Sequence, residues 1–231
     1  MQAWLSPAEL DAVWTSLVVG GRATLFALPL ATACAYALSR GRFFGRGALD
    51  AIAHAPMVLP PVVVGYGLLL LFGIQGPVGA LLYQTFGIRL AFTSAGASLA
   101  AGVCAFPLMV RSVRLSLDAV DDGLETAARS LGAGPFDRAF TLVLPLAAPG
   151  ILSAAVVGFA AALGEFGAVI TFAANIPGVT QTLPLAIYAA LQAPGGEATA
   201  GKLALISFAI AVVGLAASEA LWRRTRAWVG R

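Results

Sequence analysis

The sequence predicts an all-α membrane protein, a bundle of about five transmembrane helices, and three observations carry that prediction. Only 11% of residues are charged and 59% are hydrophobic, with a mean hydropathy of +0.89. Soluble domains hold about 25% charged residues, so this chain cannot cover a water-facing surface. Four stretches, 51–88, 90–110, 139–164 and 166–196, contain no Asp, Glu, Lys or Arg, and about 20 apolar residues suffice to cross the hydrocarbon core. Finally, the basic residues cluster at the ends of apolar stretches, where they orient a membrane protein. That distribution argues against nucleic acid as the partner of the +3 net charge.

Taken in order, helices are expected at 13–39, 49–73, 92–116, 146–172 and 200–222. Residues 1–12 form a short external segment. They carry Glu9 and Asp11, and no Lys or Arg occurs before Arg22, so no cleaved signal peptide is expected. Arg40, Arg42 and Arg46 mark the first loop as cytoplasmic. Arg111, Arg114, Arg129 and Arg138 mark the segment after the third helix, and Arg223, Arg224, Arg226 and Arg231 mark a basic cytoplasmic tail, 223–231. These are 11 of the 14 basic residues. The asymmetry places the C-terminus inside and the N-terminus outside. Residues 74–91 and 173–199 then lie outside. Within the second of these, Thr182–Gln192 is apolar but too short to cross, and reads as an interfacial or re-entrant helix. Pro29, Pro56, Pro60, Pro61, Pro107 and Pro149 fall inside predicted spans, where each removes a backbone donor and tends to kink its helix. Cys34 and Cys104 sit in apolar stretches with no ligand spacing and read as small hydrophobes.

The membrane domain, 13–222, is interrupted by one long polar segment, Asp118–Pro145. Leu124, Ala127, Ala128 and Leu131 recur at helical spacing. Gly132 is a natural helix stop, and Pro135 suits the first position of a new helix. Phe136, Phe140 and Leu142 give that second piece an apolar side. The segment therefore reads as a helix–turn–helix, shaped either to dock in a groove on a cytosolic partner or to lie on the membrane surface.

Glu125, Ala127, Ala128, Gly132, Leu144 and Pro145 resemble the signature of binding-protein-dependent ABC importer permeases. Thr126 stands between Glu125 and Ala127, so Glu125 is one position earlier than in the simplest form of the motif. The resemblance extends over nearly the whole chain: Pro56–Gly67, Gly164–Ala168, Thr171–Gly178 and Gln192–Glu197 are similar to molybdate permeases of this family. Sulfate/thiosulfate permeases share the polar segment and a Gly-Glu-aromatic-Gly run and are the close alternative. The resemblance implies a type I ABC importer permease fold in a bacterial inner membrane. It also implies that the six motif residues couple this chain to a cytosolic ATPase. Implied partners are two such ATPase subunits, a second copy of this chain, an external molybdate-binding protein and membrane lipid. No cofactor or metal is expected in the chain itself, and no catalytic residue.

Four further residues are candidates for the translocation pathway or its gate. Glu165, flanked by Gly164 and Gly167, falls inside the fourth predicted span, where an unpaired carboxylate is expensive, so it should be paired or hydrogen-bonded. Arg22 lies in the outer half of the first span and could snorkel outward, pair with Glu165 or face an anion path. His54 stands alone without ligand partners. Gly196–Lys202 fits the start of a phosphate-binding loop, but Leu203 replaces the required Ser or Thr and no strand precedes it. ATP hydrolysis must therefore come from a partner. An ion-driven secondary transporter would need several charges at the midplane, and only Glu165 and Arg22 are available. An intramembrane enzyme would need a nucleophile–base pair or a metal set, and neither is visible.

Overall fold

The computed structural model describes residues 5–229, and all regular structure among them is helical. Residues 1–4 of the expected external segment and 230–231 of the expected tail lie outside the described residues. The first helix, α1 (Pro7–Arg40), is 34 residues long and starts six residues earlier than expected. Its start is a capping box: the Ser6 hydroxyl accepts the Glu9 N–H, the Glu9 carboxylate accepts the Ser6 N–H, and Pro7 opens the first turn. Residues 7–12 are thus the first turns of this helix.

The second expected span, 49–73, is not one helix. It divides into α2 (Arg46–Val58) and α3 (Pro61–Phe72), turned 117° from each other. Pro60 and Pro61 supply no N–H, and a residue before proline is driven out of the helical region; Leu59 accordingly lies at φ −76°, ψ 143°. Each half is roughly 18–20 Å long at 1.5 Å per residue, too short to cross alone. The stretch 74–91, expected outside, contains a further helix absent from the expected spans, α4 (Pro77–Phe86), started by a proline and closed by Gly87 at φ +66°.

The third span is α5 (Ser94–Asp118), capped by the Thr93 hydroxyl and unbroken despite a buried Pro107. The polar segment follows as α6 (Asp122–Ser130), a helical turn α7 (Pro135–Asp137), a wider π-type stretch at Arg138–Val143, and a second turn α8 (Leu144–Leu146). The fourth expected span, 146–172, is also divided. Helix α9 (Ala148–Leu163) departs at 66° from Pro135–Leu146, ends at Gly164, and a new helix α10 (Gly167–Ala173) begins. Pro149 does not kink a span but sits in the first turn of α9. The expected interfacial helix is present as α11 (Leu183–Gln192), and α12 (Glu197–Val229) takes in both the fifth expected span and most of the expected tail. Among the described residues, three helices are long and apolar enough to cross a membrane, or up to five if each bent pair is one span.

The core lies where α1, α5 and α9 meet. On α1 the buried positions Val19, Ala23, Ala27, Ala31 and Ala35 repeat every four residues, and on α5 Ala97, Ala101 and Ala105 do the same. Small residues at helical spacing let backbones approach closely, which is how helices associate in lipid. Gly150 and Gly158 of α9 extend this: a side chain at either position would collide with Ser116 or Met109 of α5. The opposite faces carry exposed Leu25, Phe26 and Leu30 on α1, and Val62, Val63, Tyr66 and Leu70 on α3.

Candidate functional site: the polar segment and the broken spans

Helix α6 begins with the Asp121 carboxylate accepting the Gly123 N–H at 2.7 Å. Asp122 and Glu125 occupy its first turn, where acidic groups complement the helix dipole. Its end is a Schellman turn: the Gly132 N–H donates to the Arg129 carbonyl and the Ala133 N–H to the Ala128 carbonyl, both at 3.0 Å. Gly132 holds φ +89°, a conformation open to glycine and costly for most other residues. Of the six motif residues, Ala127, Gly132 and Pro145 are exposed, Ala128 and Leu144 half-buried, and Glu125 largely covered. Leu131 and Phe136 are 89% and 80% exposed, and Leu124 and Phe140 are exposed as well. Between the segment and α1 is a cavity of about 690 Å³, lined by Phe136, Phe140 and Leu144 on one side and by Leu28, Thr32 and Tyr36 on the other.

Glu125 is engaged within its own chain. Its carboxylate lies 3.7 Å from an Arg40 guanidinium nitrogen and 3.7 Å from Arg138 Nε. Arg40, the last residue of α1, also pairs with Asp122 and donates to the carbonyls of Leu117 at 2.8 Å and Val120 at 3.0 Å. Arg138 donates to the Ala133 carbonyl at 3.0 Å, closing the turn from the other side. Neighbouring contacts spread the network: Ser39 donates to Asp118 at 2.5 Å, and Arg114 bridges Asp50 and Asp118 at 3.2 and 3.7 Å. His54 is not alone, since its Nδ1 lies 3.3 Å from the Asp50 carboxylate. Sequence reading used Arg40 and Arg138 only as markers of sidedness. Their pairing with Glu125 joins residues far apart in the chain, and no local pattern announces it.

The second candidate group lies at the break between α9 and α10. Glu165 is outside both helices; its carboxylate accepts the Ala168 N–H at 2.9 Å and so caps α10. Cys104 of α5 neighbours it. Of the three alternatives for Arg22, pairing with Glu165 is not the one seen: the Arg22 guanidinium is exposed and reaches Ser94 Oγ at 3.4 Å. Gly164 is the C-cap of α9, and Gly167 opens α10 against α3, where an added Cβ would lie 2.9 Å from Pro61 Cβ and 3.2 Å from Val62 N. The broken spans therefore touch at their breaks. Beyond α10, Ala174 holds φ +60°, ψ −175°, a region that costs a side-chain-bearing residue roughly 1–3 kcal/mol. Buried Thr180 holds this turn, donating to the Ala174 carbonyl and accepting the Ile176 N–H, both at 3.0 Å.

At the other end of α1, Lys202 of the glycine-rich stretch Gly196–Lys202 pairs with Glu9 at 3.0 Å. Ser16 Oγ accepts the Leu183 N–H at 2.6 Å in a buried setting.

Comparison with known proteins adds to this geometry. The family model described as "Binding-protein-dependent transport system inner membrane component" matches residues 27–226. The chain is 51% identical to "Molybdenum transport system permease protein ModB" of Escherichia coli K12, over 98% of this chain and 99% of the relative. It is 45% identical to the protein of the same name from Haemophilus influenzae, over 96% and 97%, and 36% identical to that of Azotobacter vinelandii, over 89% and 92%. Among solved structures, the inward-facing MetNI methionine ABC transporter superposes with a TM-score of 0.73 at 17% identity, covering 96% of this chain and 99% of that one. A bacterial alginate ABC importer gives 0.73 at 18%, covering 96% and 81%. These likenesses establish a shared fold. With the family match and the near full-length relatives, they make the chain a member of the binding-protein-dependent transport system inner membrane component family, a permease subunit of the ABC importer type.

Proposed function

We propose that this chain is the membrane-spanning subunit of an ATP-driven importer of molybdate, or of the chemically similar tungstate, in a bacterial inner membrane. The observation that carries the cargo is the 51% identity over 98% of the chain to a molybdenum permease. Moving even one unit charge into bare hydrocarbon costs on the order of 20 kcal/mol in an idealised Born estimate, so a dianion needs a shielded path never open at both ends. Five spans make a narrow wall, and a second copy of this chain completes the path about a two-fold axis. The arginine distribution puts residues 118–145 and the C-terminus in the cytoplasm and the N-terminus outside.

In this reading two cytosolic ATPase subunits seat on the two polar segments. Leu124 and Leu131, exposed on α6 and its turn, supply the apolar contact surface that a groove on the ATPase covers, with Ala127, Ala128 and Gly132 permitting close approach. Leu144 and Pro145 hand movement on to α9. Gly164, Glu165 and Gly167 form the hinge at which the path changes access. Arg22 lies 18 positions from Arg40 in the same helix, about 27 Å at 1.5 Å per residue, which sets it at the outer edge of the roughly 30 Å hydrocarbon core. An external molybdate-binding protein delivers the anion and does most of the choosing.

The test is ATP-dependent uptake of radiolabelled molybdate into proteoliposomes containing this chain, its co-purified ATPase and the binding protein, in competition with tungstate and sulfate. Uptake suppressed by tungstate and little affected by sulfate is expected. Equal suppression by sulfate would overturn the cargo. Absence of any co-purifying ATPase, with uptake surviving deletion of 124–134, would overturn the importer reading itself.

A further inference from the structure

Helix α1 is gripped at both ends by buried polar contacts, while the second and fourth spans are broken along their length. At one end the side chains of Arg40, Glu125 and Arg138 are only 14%, 16% and 13% exposed. The guanidinium fork of Arg40 donates to the carbonyls of Leu117 and Val120 and to the exposed Asp122 carboxylate, with the Glu125 carboxylate as an ion-pair partner 3.7 Å away. Cutting a buried ion pair by removing one partner leaves an uncompensated charge, so this joint resists slipping. At the far end Glu9 pairs with Lys202 of α12 and Ser16 accepts the N–H that opens α11. Between these ends lie 34 residues of continuous helix, about 51 Å at 1.5 Å per residue.

We propose that Arg40 and Arg138 are positioning residues of the coupling step: they clamp Glu125, and so make α1 the rod that carries movement of α6 to α11 and α12. This rests on the reading of residues 118–145 as the seat of the ATPase. In α6, Glu125 is then a joint inside the permease, and the exposed apolar residues around it form the contact with the ATPase. The broken spans flex at Pro60 and at Gly164–Phe166, whereas α1 transmits. Coupling is reciprocal, so docking of a loaded binding protein at the α11 and α12 end must reach the ATPase through the same rod.

The experiment uses the full complex with its ATPase in lipid nanodiscs. It measures the ratio of ATP hydrolysis with molybdate-loaded binding protein to hydrolysis without it, per assembled complex. Arg40→Gln and Lys202→Met, at opposite ends of α1, should each lower that ratio about fivefold or more, within the usual range of coupling energies. Arg40→Lys, which keeps charge but loses the fork, should fall between Arg40→Gln and the unsubstituted chain. Because they remove the same joint, Arg40→Gln and Glu125→Gln combined should cost less than the product of the single losses. An unchanged ratio in Arg40→Gln or in Lys202→Met, or fully multiplicative losses, overturns the proposal. If Arg40→Gln does not assemble, an unchanged ratio in Arg40→Lys or Lys202→Met does so. Failure of the unsubstituted chain to bind an ATPase sinks instead the assignment of residues 118–145.

Discussion

Two glycines two positions apart on α3 offer a test of how closely the broken spans are packed. A Cβ at Gly65 would stand 2.7 Å from the Ala168 carbonyl oxygen, 2.8 Å from Thr171 Cβ and 2.9 Å from Ala168 Cα. These distances are well inside the roughly 3.5–4.0 Å optimum for non-bonded heavy atoms. Two of the three neighbours are backbone atoms of α10, so no rotamer change relieves the contact and the helices must part. Overpacking of this kind costs about 1–3 kcal/mol. Gly67 has nothing within 4 Å of the same added atom. There alanine replaces glycine inside a helix without a collision, which is worth about 0.5–1 kcal/mol in the stabilising direction. Gly65→Ala and Gly67→Ala should therefore shift the thermal unfolding midpoint of the detergent-solubilised protein in opposite directions, Gly65→Ala downward. The assay is tryptophan fluorescence or size-exclusion retention against temperature. Equal midpoints, or a higher one for Gly65→Ala, would refute the close approach of α3 and α10.

Two further outcomes follow from the same region. Ala174→Gly removes the penalty of φ +60° and should stabilise by about 1 kcal/mol, read as a raised unfolding midpoint; an unchanged or lowered one would show that the backbone there is not strained. Glu165→Ala removes the cap on α10 and should destabilise by about 0.5–2 kcal/mol, whereas Glu165→Gln keeps an oxygen to accept the Ala168 N–H and should lose less. Identical melts for the two substitutions would argue against capping as the role of Glu165.

Much of the polar segment was legible because its determinants are local. A helix over Leu124–Leu131, a stop at Gly132 and a restart at Pro135 depend on residue types within a few positions of each other, and α6, the Schellman turn and α7 follow that pattern. The interfacial helix at Leu183–Gln192 was visible from its length for the same reason. The breaks were less legible. Hydropathy averages over 49–73 and 146–172 and sees only apolar chain, so a 117° turn at Leu59–Pro61 looks like a kink. Proline content alone does not separate the cases, since Pro29 and Pro107 lie in helices that run on unbroken. Two prolines in succession at 60 and 61 remove adjacent donors, and that is the local difference. The partners of Glu125, Glu9 and Glu165 were not legible, because each depends on which helix ends the fold brings together. Glu9 reads only as part of the external segment, yet it is buried against Lys202.

The placement of the breaks bears on how such a bundle can change shape. In hydrocarbon, irregular backbone is tolerated only where protein or a wet cavity satisfies it. Leu59–Pro60 leaves few donors unmet because its prolines have none to offer, and Glu165 satisfies the Ala168 N–H at the start of α10 from within the chain. The two breaks also coincide in space, since Gly167 packs on Pro61 and Val62 and Gly65 packs on Ala168 and Thr171. α3 and α10 are thus packed closely at two adjacent breaks, beside α1 and α5, which have none. Val62, Val63 and Tyr66 lie exposed on α3, whereas Ala168, Val169, Phe172 and Ala173 tie α10 into the core shared by α1 and α5. Under the importer reading proposed above, a change of access bends the bundle at these glycine-packed breaks and not within the continuous helices α1 and α5.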